Sequence, residues 1–281
     1  MRILVTGFGG FPGSPRNPTE RIIASLARHR PRLARAGLEL DLSVLPVVYA
    51  ALEPRLEALT RETPPDAILH FGLASRRSGL CVETRALNRI SLLRPDAAGA
   101  LPQRRVLLTG GDQIGVDGAQ VQSGESQHVP SESQALAGRK RLDRVPRRPS
   151  PGGAAQSLKS SAPAALIAAR LRRGGFRAAV SIDAGDYVCN QTLFLSLSRH
   201  PDALVGFIHV PPLASRRPQP FLLPSGRRTA VVSPLASPRR PHGPAGASWP
   251  KRLTLDETVR AAVLAILALI PNLQARRLSR P

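Results

Sequence analysis

Cys189 stands in Asp183-Ala184-Gly185-Asp186-Tyr187-Val188-Cys189-Asn190, after a short apolar run and at the start of an apolar segment with helical spacing. A thiol placed where a strand turns into a helix opens onto the ligand-binding edge of an open α/β sheet. The helix N-terminus there favours the thiolate, which is the nucleophilic form. A thiolate that attacks a carbonyl needs an imidazole in hydrogen-bond reach and a third group to hold the ring. Cys81 is the one other cysteine, and it lies inside an apolar strand-like segment, where a buried inert thiol is expected.

Six histidines could supply the imidazole. His128 and His242 fall in loop-like tracts. His29 and His200 end predicted helices, where a histidine suits the dipole. His70 and His209 remain, both at the C-terminal ends of predicted strands. His209 closes Leu204-Val205-Gly206-Phe207-Ile208, and Pro211-Pro212 stops that strand. His70 precedes Phe71-Gly72 and also suits a satisfied core histidine. Glu83, set in an otherwise apolar segment, is the acidic candidate, with a solvated strand-edge carboxylate as its alternative reading. No HxxxH or CxxC spacing and no His/carboxylate cluster suggests a metal. Gly7-Phe8-Gly9-Gly10-Phe11 follows a strand but does not complete GxGxxG. Its two phenylalanines suit the wall of a small apolar pocket better than a phosphate loop.

The elements that must position these residues are short strands alternating with helices. Strands are predicted over 2–6, 38–47, 66–72, 80–84, 86–92, 178–182 and 203–210. Helices are predicted from Asn17-Pro18-Thr19-Glu20 to about Arg28, over 52–59, after Ala162, over 187–197, and from Thr254-Leu255-Asp256-Glu257 onward. The last carries Val259, Val263, Ile266, Leu267 and Ile270 on one face. This alternation predicts an α/β fold of three layers, helix–sheet–helix, with an open twisted mixed sheet of the phosphorylase/hydrolase kind. Residues 1–281 read as one domain. Tracts of about 97–160 and 214–250, rich in Gly, Pro, Ser and Arg, break its rhythm as insertions would.

The formal net charge is +21. Lysine occurs only at Lys140, Lys159 and Lys251, so the excess is arginine, gathered largely in the irregular tracts. Aromatic residues do not interleave with it, so no base-stacking platform is visible and a nucleic-acid partner is not expected. No apolar run of the roughly 18 residues needed for a membrane span is apparent. Two cysteines and no export signal point to a reducing cytoplasm.

Five separated segments, in register, resemble the pyroglutamyl peptidase I family, also called pyrrolidone carboxyl peptidase. They are Val5-Thr6-Gly7-Phe8-Gly9-Gly10-Phe11 with Asn17-Pro18-Thr19; His70-Phe71-Gly72-Leu73-Ala74; Glu83 with Ala86, Asn88 and Pro95-Asp96; Ala184 to Asn190; and Phe207-Ile208-His209-Val210-Pro211. The resemblance implies a thiol exopeptidase that removes N-terminal pyroglutamyl residues. By motif position Cys189 is its nucleophile, His209 its general base and acid, and Glu83 the group orienting His209. Phe8 and Phe11 would sandwich the lactam ring, Tyr187 and Val188 would help close the pocket, and Asn17 belongs to the same substrate loop. It implies no cofactor, a peptide bearing N-terminal pyroglutamate as partner, and room for a homo-oligomer. The chain departs from the family at Gly10 and Pro12, where Pro and Gly are common. It departs also at Leu93, where an arginine is common and Arg94 stands one residue on. Two rival readings follow from these features: a catalytically impaired homologue that binds or scaffolds, motivated by the irregular tracts, and a basic nucleic-acid-binding protein, motivated by the charge.

Overall fold

The computed structural model describes residues 1–108, 156–214 and 252–279. Eight strands and seven α-helices occur among them. In chain order they are β1 (Arg2–Phe8), α1 (Pro18–Leu26), α2 (Arg30–Arg35), β2 (Glu39–Leu45), α3 (Tyr49–Thr60), β3 (Ala67–Leu73), β4 (Leu80–Glu83), β5 (Arg85–Leu87), β6 (Ser157–Lys159), α4 (Ala164–Arg173), β7 (Ala178–Ser181), α5 (Val188–Arg199), β8 (Leu204–Val210), α6 (Leu255–Leu267) and α7 (Ile270–Leu278).

Six strands form a mixed sheet in the order β2-β1-β3-β8-β4-β7. β2, β1, β3 and β8 are mutually parallel. β4 runs antiparallel to β8, and β7 is parallel to β4. β5 and β6 pair antiparallel in a separate ribbon. Alternate strand residues feed two apolar cores, one on each face. On one face Ile3, Val5, Leu69, Phe71, Ile208 and Val210 pack with α1, α2, α4, α6 and α7. On the other, Leu4, Ile68, Val205 and Phe207 pack with α3 and α5. The fold is thus the expected α/β, three-layer arrangement.

The sequence signals at helix starts act as read. The Asn17 side chain accepts from the Thr19 N–H, with Pro18 in the first turn. Thr254 and Glu257 close a reciprocal capping box. Other expectations shift. The first helix ends at Leu26, and His29 lies in a 3-10 turn that leads into α2. The strand expected over 86–92 is only Arg85–Leu87, because Asn88 turns away to bind the backbone of Leu107 and Leu108. β6 lies at the end of a tract that reads as irregular, since a three-residue strand carries too little period to be seen. Residues 109–155 of that tract, and 215–250 of the second, lie outside the described residues.

The C-terminal segment also corrects the reading of apolar runs. Leu255–Leu278 is long and apolar enough to cross a membrane by length and composition. More than half of its most apolar 18-residue window is buried inside the protein. It breaks into α6 and α7, and Val259, Val263, Ile266 and Leu273 join the core beneath the sheet.

Candidate active site

His209 sits near the end of β8, on the face that carries α5. Its Nδ1 bonds to Glu83 Oε1 at 2.8 Å. Cys189 lies close enough to act on the charge of the same ring, whose Nε2 is the nitrogen left free. The structure therefore brings Cys189, His209 and Glu83 together. Glu83 is wholly buried, His209 is 7 % exposed, and Cys189 is half-buried and unpaired with any other cysteine. Burial pulls the His209 pKa down, but hydrogen bonds and charge from Cys189 and Glu83 outweigh it. The result is a rise from 6.5 to about 9, so the ring is cationic at neutral pH.

Cys189 is the second residue of α5, as its place in the sequence suggests. It does not sit directly at the end of β7, however. β7 is antiparallel to β3 and β8, so the connection 182–187 must carry the chain back across the sheet. Gly185 makes this turn at φ +89°, a conformation that L side chains rarely adopt, and its N–H is held by the Asp183 carboxylate. The sulfur comes to rest over Gly72, the β3 residue that pairs with His209. A Cβ on Gly72 would lie 3.0 Å from the Cys189 Sγ and 2.6 Å from the Phe207 ring. Only a glycine leaves room for thiol and imidazole to meet here.

Asn190 fixes the same helix start from the other side. Its carboxamide is buried, accepts from the Leu87 N–H, and donates to the Leu87 and Arg89 carbonyls. An amide at the start of an otherwise apolar helical segment is the one trace of it in the sequence, and its partners, about 100 residues away, could not be read there.

His70 takes the other role open to it. It is completely buried between Thr6 Oγ1, 2.7 Å from Nδ1, and Ser196 Oγ, 3.0 Å from Nε2. Burial first, and the charge of His200 second, push its pKa from 6.5 to about 3. It is a neutral core histidine. Cys81 is buried on β4 directly opposite His209.

The expected substrate residues separate into two sets. Phe11, Tyr187 and Tyr49 form an aromatic wall, with Tyr187 6.4 Å from Phe11 and edge-on to Tyr49 at 5.6 Å. The Tyr187 hydroxyl donates to the Pro95 carbonyl. Phe8 is 2 % exposed and packs against Phe207, whose ring lies 4.8 Å from that of His209. Val188 is likewise buried. Asn17 is buried and engaged on both sides of its amide, donating to the Gly9 carbonyl and accepting from Thr19. It holds the Phe8–Phe11 loop in place. Arg94 reaches Asp186, beside Tyr187, at 3.6 Å, while Leu93 is exposed. Among the described residues no group of three or more His, Cys, Asp or Glu is arranged to hold a metal.

A three-layer α/β fold with a sulfur, an imidazole and a buried carboxylate in series defines a cysteine-type hydrolase. The family described as pyroglutamyl peptidase matches residues 1–113 and 138–221, and the chain belongs to it. The break in that match falls inside the first irregular tract. The pyrrolidone-carboxylate peptidase of Pyrococcus furiosus is 30 % identical over 215 residues, covering 75 % of this chain and 81 % of that one. That of Streptococcus suis is 29 % identical over 215 residues, covering 75 % and 78 %. Two solved structures share the fold. A mutant pyrrolidone carboxyl peptidase from P. furiosus superposes with a TM-score of 0.62 at 23 % identity, over 97 % of this chain and 100 % of that one. The pyrrolidone carboxyl peptidase of Thermococcus litoralis gives 0.65 at 22 %, over 98 % and 95 %.

Proposed function

We propose that this chain is a cysteine exopeptidase that removes N-terminal pyroglutamyl (5-oxoprolyl) residues from peptides through a thioester. The observation that carries the reading is the His209–Glu83 bond with the Cys189 sulfur set over Gly72, the strand partner of His209, in a member of this family.

The Cys189 thiolate attacks the pyroglutamyl carbonyl carbon. A C–S bond forms, and the C–N bond to the next residue breaks as His209 passes its proton to the departing amine. Water, losing a proton to His209, then cleaves the thioester and returns the thiol. Glu83 holds the ring through Nδ1, fixing its tautomer and stabilising its charge. The first N–H groups of α5, around Cys189, have no partner within the helix and serve the developing oxyanion. A lactam carries no charged amine, so apolar faces and a few hydrogen bonds must select it. Phe11 and Tyr187 supply the wall, Phe8 and Val188 support it from beneath, and Asn17 fixes the loop.

On this reading residues 1–281 act as one peptidase domain with a peptide as partner, and neither nucleic acid nor a membrane is needed. Two free thiols, one of them the nucleophile, suit a reducing cytoplasm. The test is dye release from a pyroglutamyl amide beside the matching prolyl amide. The wild-type chain should cleave the first and spare the second. Cys189→Ala should abolish cleavage and Cys81→Ala should keep most of it. Comparable activity in Cys189→Ala overturns the proposal.

A further inference from the structure

Glu83 is completely buried but only half satisfied. Oε1 takes the His209 hydrogen bond, while Oε2 has no protein hydrogen-bond partner. A buried carboxylate stays ionised only when positive charge stands close by. His209 supplies that charge in the resting site, but on the proposed reading it gives up its proton to the leaving amine in mid-reaction. At that moment Glu83 needs a cation that does not titrate.

Arg77, in the connection between β3 and β4, is placed to be that cation. Its Nη2 lies 3.9 Å from Glu83 Oε1, an ion-pair separation too long for a hydrogen bond. The same nitrogen donates to Ser181 Oγ at 3.2 Å and to the Asp183 carbonyl at 3.4 Å. The Ser181 anchor belongs to the site's own strand register, since Ser181 pairs with Glu83. The titratable and charged groups around Glu83 are His209 on β8, Cys189 on α5 behind it, Cys81 on β4, Arg77, and Asp183 after β7. The Asp183 carboxylate is occupied by Arg89 at 3.6 Å. Arg77 is the permanent cation of this set.

We propose that Arg77 is a positioning residue for the peptidase reaction, keeping a permanent positive charge beside Glu83 while His209 is neutral. The proposal rests on the cysteine-peptidase reading above. The experiment compares wild type, Arg77→Gln, Arg77→Lys and Ser181→Ala. Two profiles are recorded against pH: kcat/KM on a pyroglutamyl amide, and the rate at which iodoacetamide alkylates Cys189. Loss of the guanidinium removes the positive field that favours negative charge in this part of the site. The acid limb of both profiles in Arg77→Gln should therefore move upward by about one pH unit, with kcat reduced. Arg77→Lys, which keeps the charge, should restore most of the limb position. Ser181→Ala, which loosens the anchor, should shift it in the same direction by less. A merely structural role would lower activity at all pH values without moving the limb. Profiles of Arg77→Gln that superimpose on wild type, or an equal shift in Arg77→Lys, overturn the proposal. Should Arg77→Gln not fold, Ser181→Ala decides: an upward shift supports the role and an unmoved limb overturns it. Absence of wild-type cleavage would sink the peptidase reading instead, and the alkylation profile would still judge Arg77.

Discussion

Glu83 meets His209 across the diagonal of an antiparallel strand pair. The register sets Cys81 opposite His209 and Glu83 opposite Phe207, so the bonded side chains are two residues out of step on one face of the sheet. A diagonal neighbour lies within reach of long side chains. From the diagonal the Glu83 carboxylate meets Nδ1, and Nε2 is left free on the other side of the ring. The change of strand direction between β8 and β4 is thus what sets Glu83 against His209.

Glu83→Gln should expose this dependence. The variant keeps the shape but removes one of the two groups that hold the His209 pKa near 9. On the proposed mechanism peptidase activity requires the imidazolium, so the alkaline limb of kcat/KM should move down from about 9 toward 6.5. The rate should fall by about 100-fold or more, the range seen when general acid–base support is lost. The same shift has a stability sign. A histidine whose folded pKa is raised contributes stability fully below 6.5 and loses it as pH rises through about 9. Urea unfolding of wild type between pH 6 and 9 should show that loss, and Glu83→Gln should show less of it. Unchanged alkaline limbs would contradict the assignment of Glu83.

Gly72→Ala tests the space that lets sulfur and ring meet. The added methyl would sit 2.6 Å from the Phe207 ring and 3.0 Å from Cys189 Sγ. Both neighbours are held, Phe207 in the core and Cys189 by its helix, so one must move. Overpacking of this kind costs about 1–3 kcal/mol. Cys189 alkylation and peptidase turnover should both slow, whereas a purely structural effect would leave alkylation in the folded fraction unchanged.

The two phenylalanines of the first loop should part company. Phe8→Ala empties a fully buried volume beside Phe207, and a loss of about 3–5 kcal/mol is expected. Phe11 is only partly buried against Tyr187. Phe11→Ala should leave the unfolding midpoint nearly in place and raise KM for the pyroglutamyl amide several-fold. Equal effects on stability would place Phe11 in the core and remove it from the substrate wall.

Much of this site is legible in the chain because local signals agree with the fold. The Asn17 and Thr254–Glu257 caps fix helix starts by chemistry confined to a few residues, and both appear as written. Cys189 stands out for the same reason, at a turn into a helix. His70 and His209 are different. Both end apolar strands, and their sequence settings are nearly alike. What separates them lies over 60 residues away in each case: Thr6 and Ser196 for one, Glu83 for the other. The direction of β4 and β7 was equally hidden, since a four-residue strand reads the same forwards and backwards. Arg77 was lost among many arginines, and only Ser181 across the sheet shows why it points inward.

His70 offers a test in which the two histidines behave oppositely. Its pKa is pushed down to about 3, so the folded chain declines a proton that the unfolded chain accepts below 6.5. Unfolding is therefore favoured as pH falls from 6.5 toward 3, by about 1 kcal/mol for each unit. His70→Gln keeps a polar side chain between Thr6 and Ser196 but cannot titrate. It should be less stable than wild type at pH 7.5, because its amide fits the two hydroxyls less well. Its stability should also decline less steeply on acidification to pH 5, so the two chains converge. Urea unfolding at both pH values reads the difference. Peptidase turnover per folded molecule should survive in His70→Gln and vanish in His209→Gln. Loss of turnover in both, with His70→Gln folded, would mean that the ring between Thr6 and Ser196 does more than fill the core.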